Sequence, residues 1–286
     1  MRWTPGGISN DVEDRRDSSG GGGGFGGFGG IHLGIGGMIL VAVLSLLFHQ
    51  NLFTALTSSG PAPGASAPDT TRDAAEQPEM QFVSFVLDDV QKTWEQMLPA
   101  QAGVQYRHAK LVVYRDSIDS ACGMAQSATG PFYCPEDEKV YLDLSFFQEL
   151  SQRFGAPGQF AQAYVIAHEI GHHVQKILGI EQKYSNLVET NPNARNRLSV
   201  GLELQADCFA GVWGHSTGQR GILESGDAQS ALQAAAAVGD DRLQRMATGH
   251  ISPETFTHGS SAQRDQWFNT GFQSGDIGAC KTSNAF

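Results

Sequence analysis

The sequence predicts an α+β protein: a helix-rich domain with a small sheet, preceded by a single transmembrane helix. Three observations predict this class. An apolar run begins at residue 31, two short segments have the composition of strands, and apolar segments of helical length fill the second half of the chain. With 286 residues, the chain is long enough for one substantial domain and an appendage.

Residues 1–30 are predicted to be a disordered, glycine-rich cytoplasmic segment. Glycine is unbroken from Gly20 to Gly24, and a second glycine-rich stretch continues to Gly30. A segment of this composition buries too little apolar surface to offset the entropy of ordering its backbone.

Residues 31–56 are predicted to be a transmembrane anchor. The stretch from Ile31 to Phe48 is almost entirely apolar, and about 20 apolar residues cross a bilayer. Three arginines precede the run, namely Arg2, Arg15 and Arg16. The positive-inside rule therefore places the N-terminus in the cytoplasm and the rest of the chain across the membrane. The alternatives are a buried helix and a signal peptide cleaved near residues 65–67.

Residues 57–79 are rich in Pro, Ala, Ser, Gly and Thr, and are predicted to be a flexible linker. The domain then extends over residues 80–286. Apolar residues at helical spacing predict an amphipathic helix over residues 80–98. Strands are predicted at Lys110–Tyr114 and Lys139–Leu144, and one or two helices over residues 222–248.

The stretch from His168 to His172 has the spacing H-E-x-x-H. Residues four apart lie on the same face of a helix, so both imidazoles can bind one Zn²⁺. Glu169 is then placed to take a proton from a water that the zinc activates. The flanking run from Phe160 is apolar and free of Pro and Gly, which predicts a buried helix ending near Gly179. Two histidines and an acid in such a helix are costly unless something binds them, and a metal is the simplest reason.

A catalytic zinc site usually has three protein ligands, and Glu203 is the best downstream candidate for the third. Glu203 and Asp207 are four residues apart in an apolar helical stretch, so their carboxylates share a face. Two like charges there repel unless each has a positive partner. Glu203 as a ligand, with Asp207 accepting the free N–H of a liganding imidazole, satisfies both acids. The alternative is a surface helix with two solvated acids.

The net charge of −11 makes nucleic acid a poor partner for the folded part. Four cysteines are present, and none has C-x-x-C spacing. Cys122 and Cys134 bracket a loop that a disulfide would close well, and Cys208 would then pair with Cys280. Free buried thiols and the two other pairings remain open.

These motifs together carry a family resemblance. The pattern His168-Glu169-x-x-His172 followed by Glu203-x-x-x-Asp207 resembles the gluzincin zinc metallopeptidases. More closely, the phrase Glu203-Leu-Gln-Ala-Asp207-Cys208 is similar to that of the bacterial family called putative neutral zinc metallopeptidases. The phrase His258-Gly-Ser-Ser-Ala-Gln-Arg264, followed by Trp267-Phe268-Asn269, resembles the same family. The resemblance runs from the glycine-rich segment to about residue 275.

The resemblance implies roles for His258 and Arg264. Their segment is similar to the H-P-S-x-x-x-R segment of CAAX-prenyl-protease-type gluzincins, with Gly259 in place of Pro. It implies that His258 binds the oxyanion formed when water attacks the carbonyl, and that Arg264 orients Asp207. The alternative is a helix-capping region, with Ser260 or Ser261 as the N-cap of a helix over residues 262–272.

The resemblance also implies a zincin-like fold, Zn²⁺ as cofactor, and a peptide or protein at the cell envelope as substrate. It implies that residues 140–143 form an edge strand that pairs with the substrate backbone. Combined with the anchor, it places the protein in the bacterial inner membrane with a periplasmic or extracytoplasmic catalytic domain. Two alternatives remain: a non-catalytic envelope scaffold with a structural metal site, and a zinc amidase acting on cell-wall peptide.

Overall fold

The computed structural model describes residues 1–17, 69–127 and 130–282. Apart from one long helix, the described helices follow the strands along the chain, which is an α+β arrangement. The strands are β1 Val12–Asp14, β2 Lys110–Tyr114, β3 Ser117–Ser120, β4 Gly123–Gln126, β5 Phe132–Cys134 and β6 Lys139–Asp143. The helices are α1 Thr70–Ala102, α2 Ser145–Gln152, α3 Gln159–Ile177, α4 Ile180–Thr190, α5 Arg195–Gln219, α6 Asp227–Ala237, α7 Asp240–Thr248 and α8 Ser261–Ser274. Short 3₁₀ turns lie at Pro192–Ala194, Pro253–Thr255 and Ile277–Ala279.

The main sheet has the strand order β1-β2-β6-β5, and β3 pairs with β4 in a separate hairpin. Strands β1, β2 and β6 are parallel, whereas β5 runs antiparallel to β6. The prediction that residues 140–143 form an edge strand is wrong, because β6 is hydrogen-bonded on both sides. Among the described residues, β5 is the edge strand on that side of the sheet.

The N-terminal segment belongs to the domain. β1 pairs in parallel with β2, with Val12 opposite Leu111. The side chain of Arg16 is only 5% exposed and bonds Asp14 at 2.8 Å and Glu76 at 3.0 Å. The prediction of a disordered segment over residues 1–30 is therefore wrong for residues 1–17, because strand pairing and ion pairs order them before the glycine run begins. Residues 18–30 lie outside the described residues.

Helix α1 begins earlier than predicted. Asp69 accepts a hydrogen bond from the backbone N–H of Arg72 and so caps the helix at Thr70. The flexible linker predicted over residues 57–79 is thus wrong from residue 70 onward, since charged contacts to the N-terminal segment stabilise the first turns of the helix. Residues 57–68 lie outside the described residues, as does the predicted anchor over residues 31–56. Within the described ranges, no helix combines the length and apolarity that crossing a bilayer requires.

Helix α3 is the centre of the core, and it packs against α1, α5, α6 and β5. Close approach of α3 to α5 requires Gly171, because a Cβ there would lie 3.0 Å from the carbonyl oxygen of Ala206. Helix α8 crosses α5 still more closely: a Cβ at Gly271 would lie 1.9 Å from the carbonyl oxygen of Cys208. These contacts place both α3 and α8 against α5, so the three helices that carry the candidate site pack together.

Both predicted disulfides are present. Cys122–Cys134 joins the loop before β4 to the end of β5, and Cys208–Cys280 joins α5 to the C-terminal tail. No cysteine is free. Disulfides of this kind persist in oxidising compartments.

Candidate metal centre

Three predicted ligands meet between α3 and α5. His168 and His172 lie one turn apart on α3, and Glu203 faces them from α5. Nε2 of His168 lies 3.2 Å from Oε2 of Glu203, and Nε2 of His172 lies 3.6 Å from Oε1. One donor atom from each of the three residues lies within 4.8 Å of the others.

The donor set fits a tetrahedral zinc ion. Bonds of about 2.0–2.1 Å at tetrahedral angles place ligand atoms roughly 3.3 Å apart. The two observed separations, 3.2 and 3.6 Å, lie on either side of that value. Two imidazoles and one carboxylate are a ligand set that zinc accepts, with a fourth position left for water or substrate.

Asp207 holds the ring of the first histidine. Its carboxylate is fully buried and lies 2.8 Å from Nδ1 of His168. A carboxylate only accepts, so Nδ1 carries the hydrogen and Nε2 is left for a metal. Arg264 donates to both oxygens of Asp207, from Nε at 2.8 Å and Nη2 at 2.9 Å. Tyr164 also donates its hydroxyl hydrogen to Asp207.

Charge inside this cluster shifts the pKa of its members. Burial raises the pKa of the Asp207 carboxyl, but Arg264 and His168 outweigh burial and hold it below its usual value. Burial lowers the pKa of His168, whereas Asp207 and Glu203 raise it to about 10 in the metal-free protein. Burial also raises the pKa of Glu203, but the histidines around it bring it far below the ordinary range. Both acids are therefore ionised, as a site for a cation requires.

Gln175 orients the ring of the second histidine, His172, as Asp207 orients the ring of His168. The sequence analysis did not predict this role. Its Oε1 lies 2.9 Å from Nδ1 of His172. Its Nε2 donates to the carbonyl of Leu202 at 2.8 Å, which fixes the orientation of the amide. Gln175 is fully buried on α3. The signal available in the sequence was an amide three residues after a predicted ligand, in a helix predicted to be buried.

Glu169 and His258 line the same cleft as the ligands. The cleft measures about 370 Å³. Glu169 is 8% exposed and follows His168 directly on α3. His258 lies in the turn before α8, and its Nδ1 is 3.2 Å from Oδ1 of Asp240. Because that carboxylate accepts from Nδ1, the Nε2 of His258 is left for the cleft.

Asp240 is a second residue that the sequence reasoning missed. Its Oδ2 accepts from the backbone N–H groups of Thr257, His258 and Gly259, at 2.7, 2.7 and 3.0 Å. Burial lowers the pKa of His258, but Glu203 and Asp240 raise it above its ordinary value. The alternative prediction, that Ser260 or Ser261 is the N-cap of a helix, also agrees with the structure. Ser260 forms a capping box with Gln263 at the start of α8.

His173 lies outside the ligand cluster. Its side chain is fully buried beside the helix that carries the ligands. Nε2 lies 2.8 Å from the carbonyl oxygen of Arg107, so it carries the hydrogen, and Nδ1 accepts from the hydroxyl of Tyr133 at 3.0 Å. His173 thereby ties edge strand β5 to the helix that carries the ligands.

The arrangement can hold a divalent cation, place a carboxylate beside it, and present one histidine across a cleft. Hydrolases that activate a water molecule use the same three groups: a metal ion, a carboxylate base and a nearby hydrogen-bond donor. The elements around the cleft also leave a strand edge beside it, since Phe132 and Tyr133 of β5 line the cavity.

The model of the family described as "Putative neutral zinc metallopeptidase" matches residues 1–283. "Uncharacterized protein YpfJ" of Escherichia coli strain K12 is 48% identical over 286 residues, covering 99% of this chain and 98% of the relative. "Uncharacterized protein Rv2575" of Mycobacterium tuberculosis strain H37Rv is 43% identical over 211 residues, covering 69% of this chain and 68% of the relative. No solved structure is significantly similar to this chain. Zinc is the cofactor that the family implies, and a match over nearly the whole length shows that the chain belongs to the putative neutral zinc metallopeptidase family.

Proposed function

We propose that the protein is a zinc-dependent endopeptidase that hydrolyses peptide bonds of envelope proteins or peptides. The observation that carries the proposal is the cluster of His168, His172 and Glu203 beside the carboxylate of Glu169, in a cleft of about 370 Å³. A purely structural metal site has no use for a carboxylate next to its ligands. The family description supports a hydrolase of this class.

Zinc held by His168, His172 and Glu203 would polarise the substrate carbonyl and make a water molecule more acidic. Glu169 accepts the proton of the attacking water and later returns it to the leaving amine. Asp207 and Gln175 keep both imidazoles in the tautomer that leaves Nε2 toward the metal.

His258 stabilises the charge that develops on the carbonyl oxygen. Asp240 holds Nδ1, so that Nε2–H is available to donate. A preorganised donor at this point contributes roughly 10²–10³-fold in kcat in other hydrolases. His258 is thus the catalytic partner of Glu169 across the cleft.

The substrate binds along edge strand β5 and places an apolar side chain in the cleft. Antiparallel addition of a peptide to a free strand edge provides main-chain hydrogen bonds that do not depend on sequence. Apolar residues form much of the cleft wall, namely Phe132, Phe146, Phe154, Val165 and Leu243. Both disulfides favour an oxidising compartment, which supports an envelope location for domain and substrate.

The test is made on the full chain purified with its disulfides intact. Bound metal is measured by elemental analysis, and hydrolysis is followed on an unstructured protein and on a peptide library. Glu203→Ala is expected to lose zinc and activity, whereas Glu169→Gln keeps about one zinc per chain and loses roughly 10²–10⁴-fold in kcat.

Glu189→Gln, an exposed acid on α4, is the matched control and should change neither property. Zinc bound at full occupancy with no hydrolysis of any peptide would leave a structural metal site. Hydrolysis confined to cell-wall peptides would identify an amidase instead.

A further inference from the structure

We infer that the cleft selects peptides with a lysine or arginine before the cleaved bond and an apolar residue after it, and that Glu181 binds the positive charge. This inference rests on the proposed function and names the substrate class of the same site. Glu181 is then a specificity residue and takes no part in the chemistry at the metal.

The cleft has two ends, which helix α3 orders along the chain. Val165 lies one turn before Glu169, and among the residues of α3 that line the cavity, His172 is the last. Helix α4 begins three residues after α3 ends, so Glu181 lies beyond the ligands, at the C-terminal end of α3. The metal centre therefore lies between an apolar end at Val165 and an acidic end at Glu181.

Glu181 gives the acidic end a negative charge that its neighbours compensate only in part. Its side chain lines the cavity and is partly exposed. Burial raises the pKa of its carboxyl to about 7; Lys176 opposes this rise, whereas Glu136 and Glu138 add to it. A lysine or arginine side chain bound here would add the positive charge that favours the ionised carboxylate.

Apolar side chains line the opposite end of the cleft, around Val165. Phe154 belongs to this end, because it lies five residues before the start of α3. Its carbonyl oxygen accepts from Nη2 of Arg242 at 2.8 Å, which brings α7 and the cavity-lining Leu243 to the same place. A wall of this composition fits an apolar substrate side chain.

The course of edge strand β5 assigns a direction to the peptide. Gly130, two residues before β5, lies beside α2 at the apolar end, since a Cβ there would be 3.6 Å from the ring of Phe146. Tyr133 lies toward the acidic end, because burial and the charge of Glu181 both raise the pKa of its hydroxyl. A peptide added antiparallel to β5 runs the opposite way, so the residues before its cleaved bond lie at Glu181.

The charge of the whole chain favours the same substrates. A net charge of −11 raises the local concentration of cationic peptides and speeds their encounter with the protein. Lysine and arginine also suit a cleft with apolar walls, because their stems pack on apolar surface while the charged group reaches a carboxylate.

The test uses the full zinc-loaded chain at pH 8, where Glu181 is ionised. Otherwise uncharged peptides carry one lysine each, at successive positions, and norleucine at the same positions keeps the stem without the charge. Cleavage sites are mapped by mass spectrometry, and kcat/KM is measured for each peptide. We expect lysine before the cleaved bond to raise kcat/KM roughly 10-fold or more over norleucine, as a charge-assisted hydrogen bond should.

Three variants locate the source of this preference. Glu181→Gln should remove the advantage of lysine, and Glu181→Lys should favour glutamate at the same position. Glu149→Gln is the matched control, because Glu149 is an acid that lines the same cleft from α2, and this variant should keep the preference for lysine. Circular dichroism of each variant separates a lost preference from a lost fold.

Equal kcat/KM for lysine and norleucine peptides, or a preference for lysine that survives in Glu181→Gln, would overturn the inference and leave the proposed function intact. A preference for lysine after the cleaved bond would overturn it as well, since the peptide would then run the other way.

Binding to Glu169→Gln, followed by fluorescence anisotropy of the same peptides, tests the inference without hydrolysis. If the zinc-loaded wild type cleaves no peptide, the proposed function fails and this measurement decides. Tighter binding of lysine peptides that is lost when Glu181→Gln is added would support Glu181 as the site of the positive charge. Lysine peptides that bind no more tightly than norleucine peptides would overturn it.

Discussion

Gly271→Ala is expected to force α8 away from α5. A Cβ at this position would lie 1.9 Å from the carbonyl oxygen of Cys208 and 2.8 Å from the backbone nitrogen of Val212. Real Cβ contacts essentially never fall below 3.0 Å, so the helices must separate by about 1 Å. Both opposing atoms are backbone atoms in the buried stretch of α5 over residues 204–214, and no side-chain rotation can relieve the overlap.

Overpacking of this kind costs about 1–3 kcal/mol. For a domain of this size, that corresponds to a fall in Tm of roughly 3–10 °C. Zinc affinity should fall as well, because Arg264 on α8 donates to Asp207 on α5 at 2.8–2.9 Å. An added separation of about 1 Å lengthens these bonds past the usual limit for hydrogen bonding.

The assay is thermal denaturation followed by circular dichroism, with zinc affinity measured by competition against a chromophoric chelator. Gly218→Ala is the matched control on α5, since a Cβ there meets only Leu223 at 3.4 Å. It should be neutral or gain up to about 1 kcal/mol from helix propensity. Equal Tm values for the two alanine variants would refute the close crossing of α5 and α8.

Asp207→Asn should weaken zinc binding about 10–100-fold, because the ring of His168 loses its acceptor; unchanged affinity in a chelator competition would contradict this. In the metal-free protein, the raised pKa of His168 contributes stability that is full below pH 6.5 and is lost as pH rises toward about 10. Denaturation in a chelator at pH 6 and pH 10 should show this loss, and His168→Gln should remove that part of the pH dependence. Reduction of Cys208–Cys280, which closes a loop with a sequence separation of 72, should cost about 2–5 kcal/mol of stability; a denaturant midpoint unaffected by reductant would argue otherwise. A chain lacking residues 1–17 should expose β2 and aggregate or melt early, and a Tm equal to that of the full chain would show that β1 is dispensable.

Much of the candidate site was predictable because its core is local. His168 and His172 are one turn apart, as are Glu203 and Asp207, and residues four apart share a helix face whatever the fold. Two acids in an apolar helix each need a positive partner. This requirement predicted Glu203 as a ligand and Asp207 as the acceptor of an imidazole N–H. The structure brings all four together. Arg264, whose role only the resemblance implied, joins them through Asp207.

The partners of the second histidine and of His258 were not predictable in the same way. Gln175 is close in sequence to His172, yet its role depends on the carbonyl of Leu202, which comes from another helix. Asp240 reaches His258 because two loops meet at the start of α7 and α8. Such meetings depend on packing between distant segments, and no local pattern encodes them.

By itself, the sequence determined the helical stretches near residues 80–98, 160–179 and 203–213, the H-E-x-x-H spacing and the composition of the N-terminal glycine run, because each depends on neighbours within a few residues. Only the tertiary structure decided that β1 joins the sheet and that β5, rather than β6, forms its edge. Strand order is set by which backbones pair, and a strand of three residues carries almost no signal of its own. The free energy of that pairing comes from β2 and from charges such as Glu76, which are far along the chain from β1.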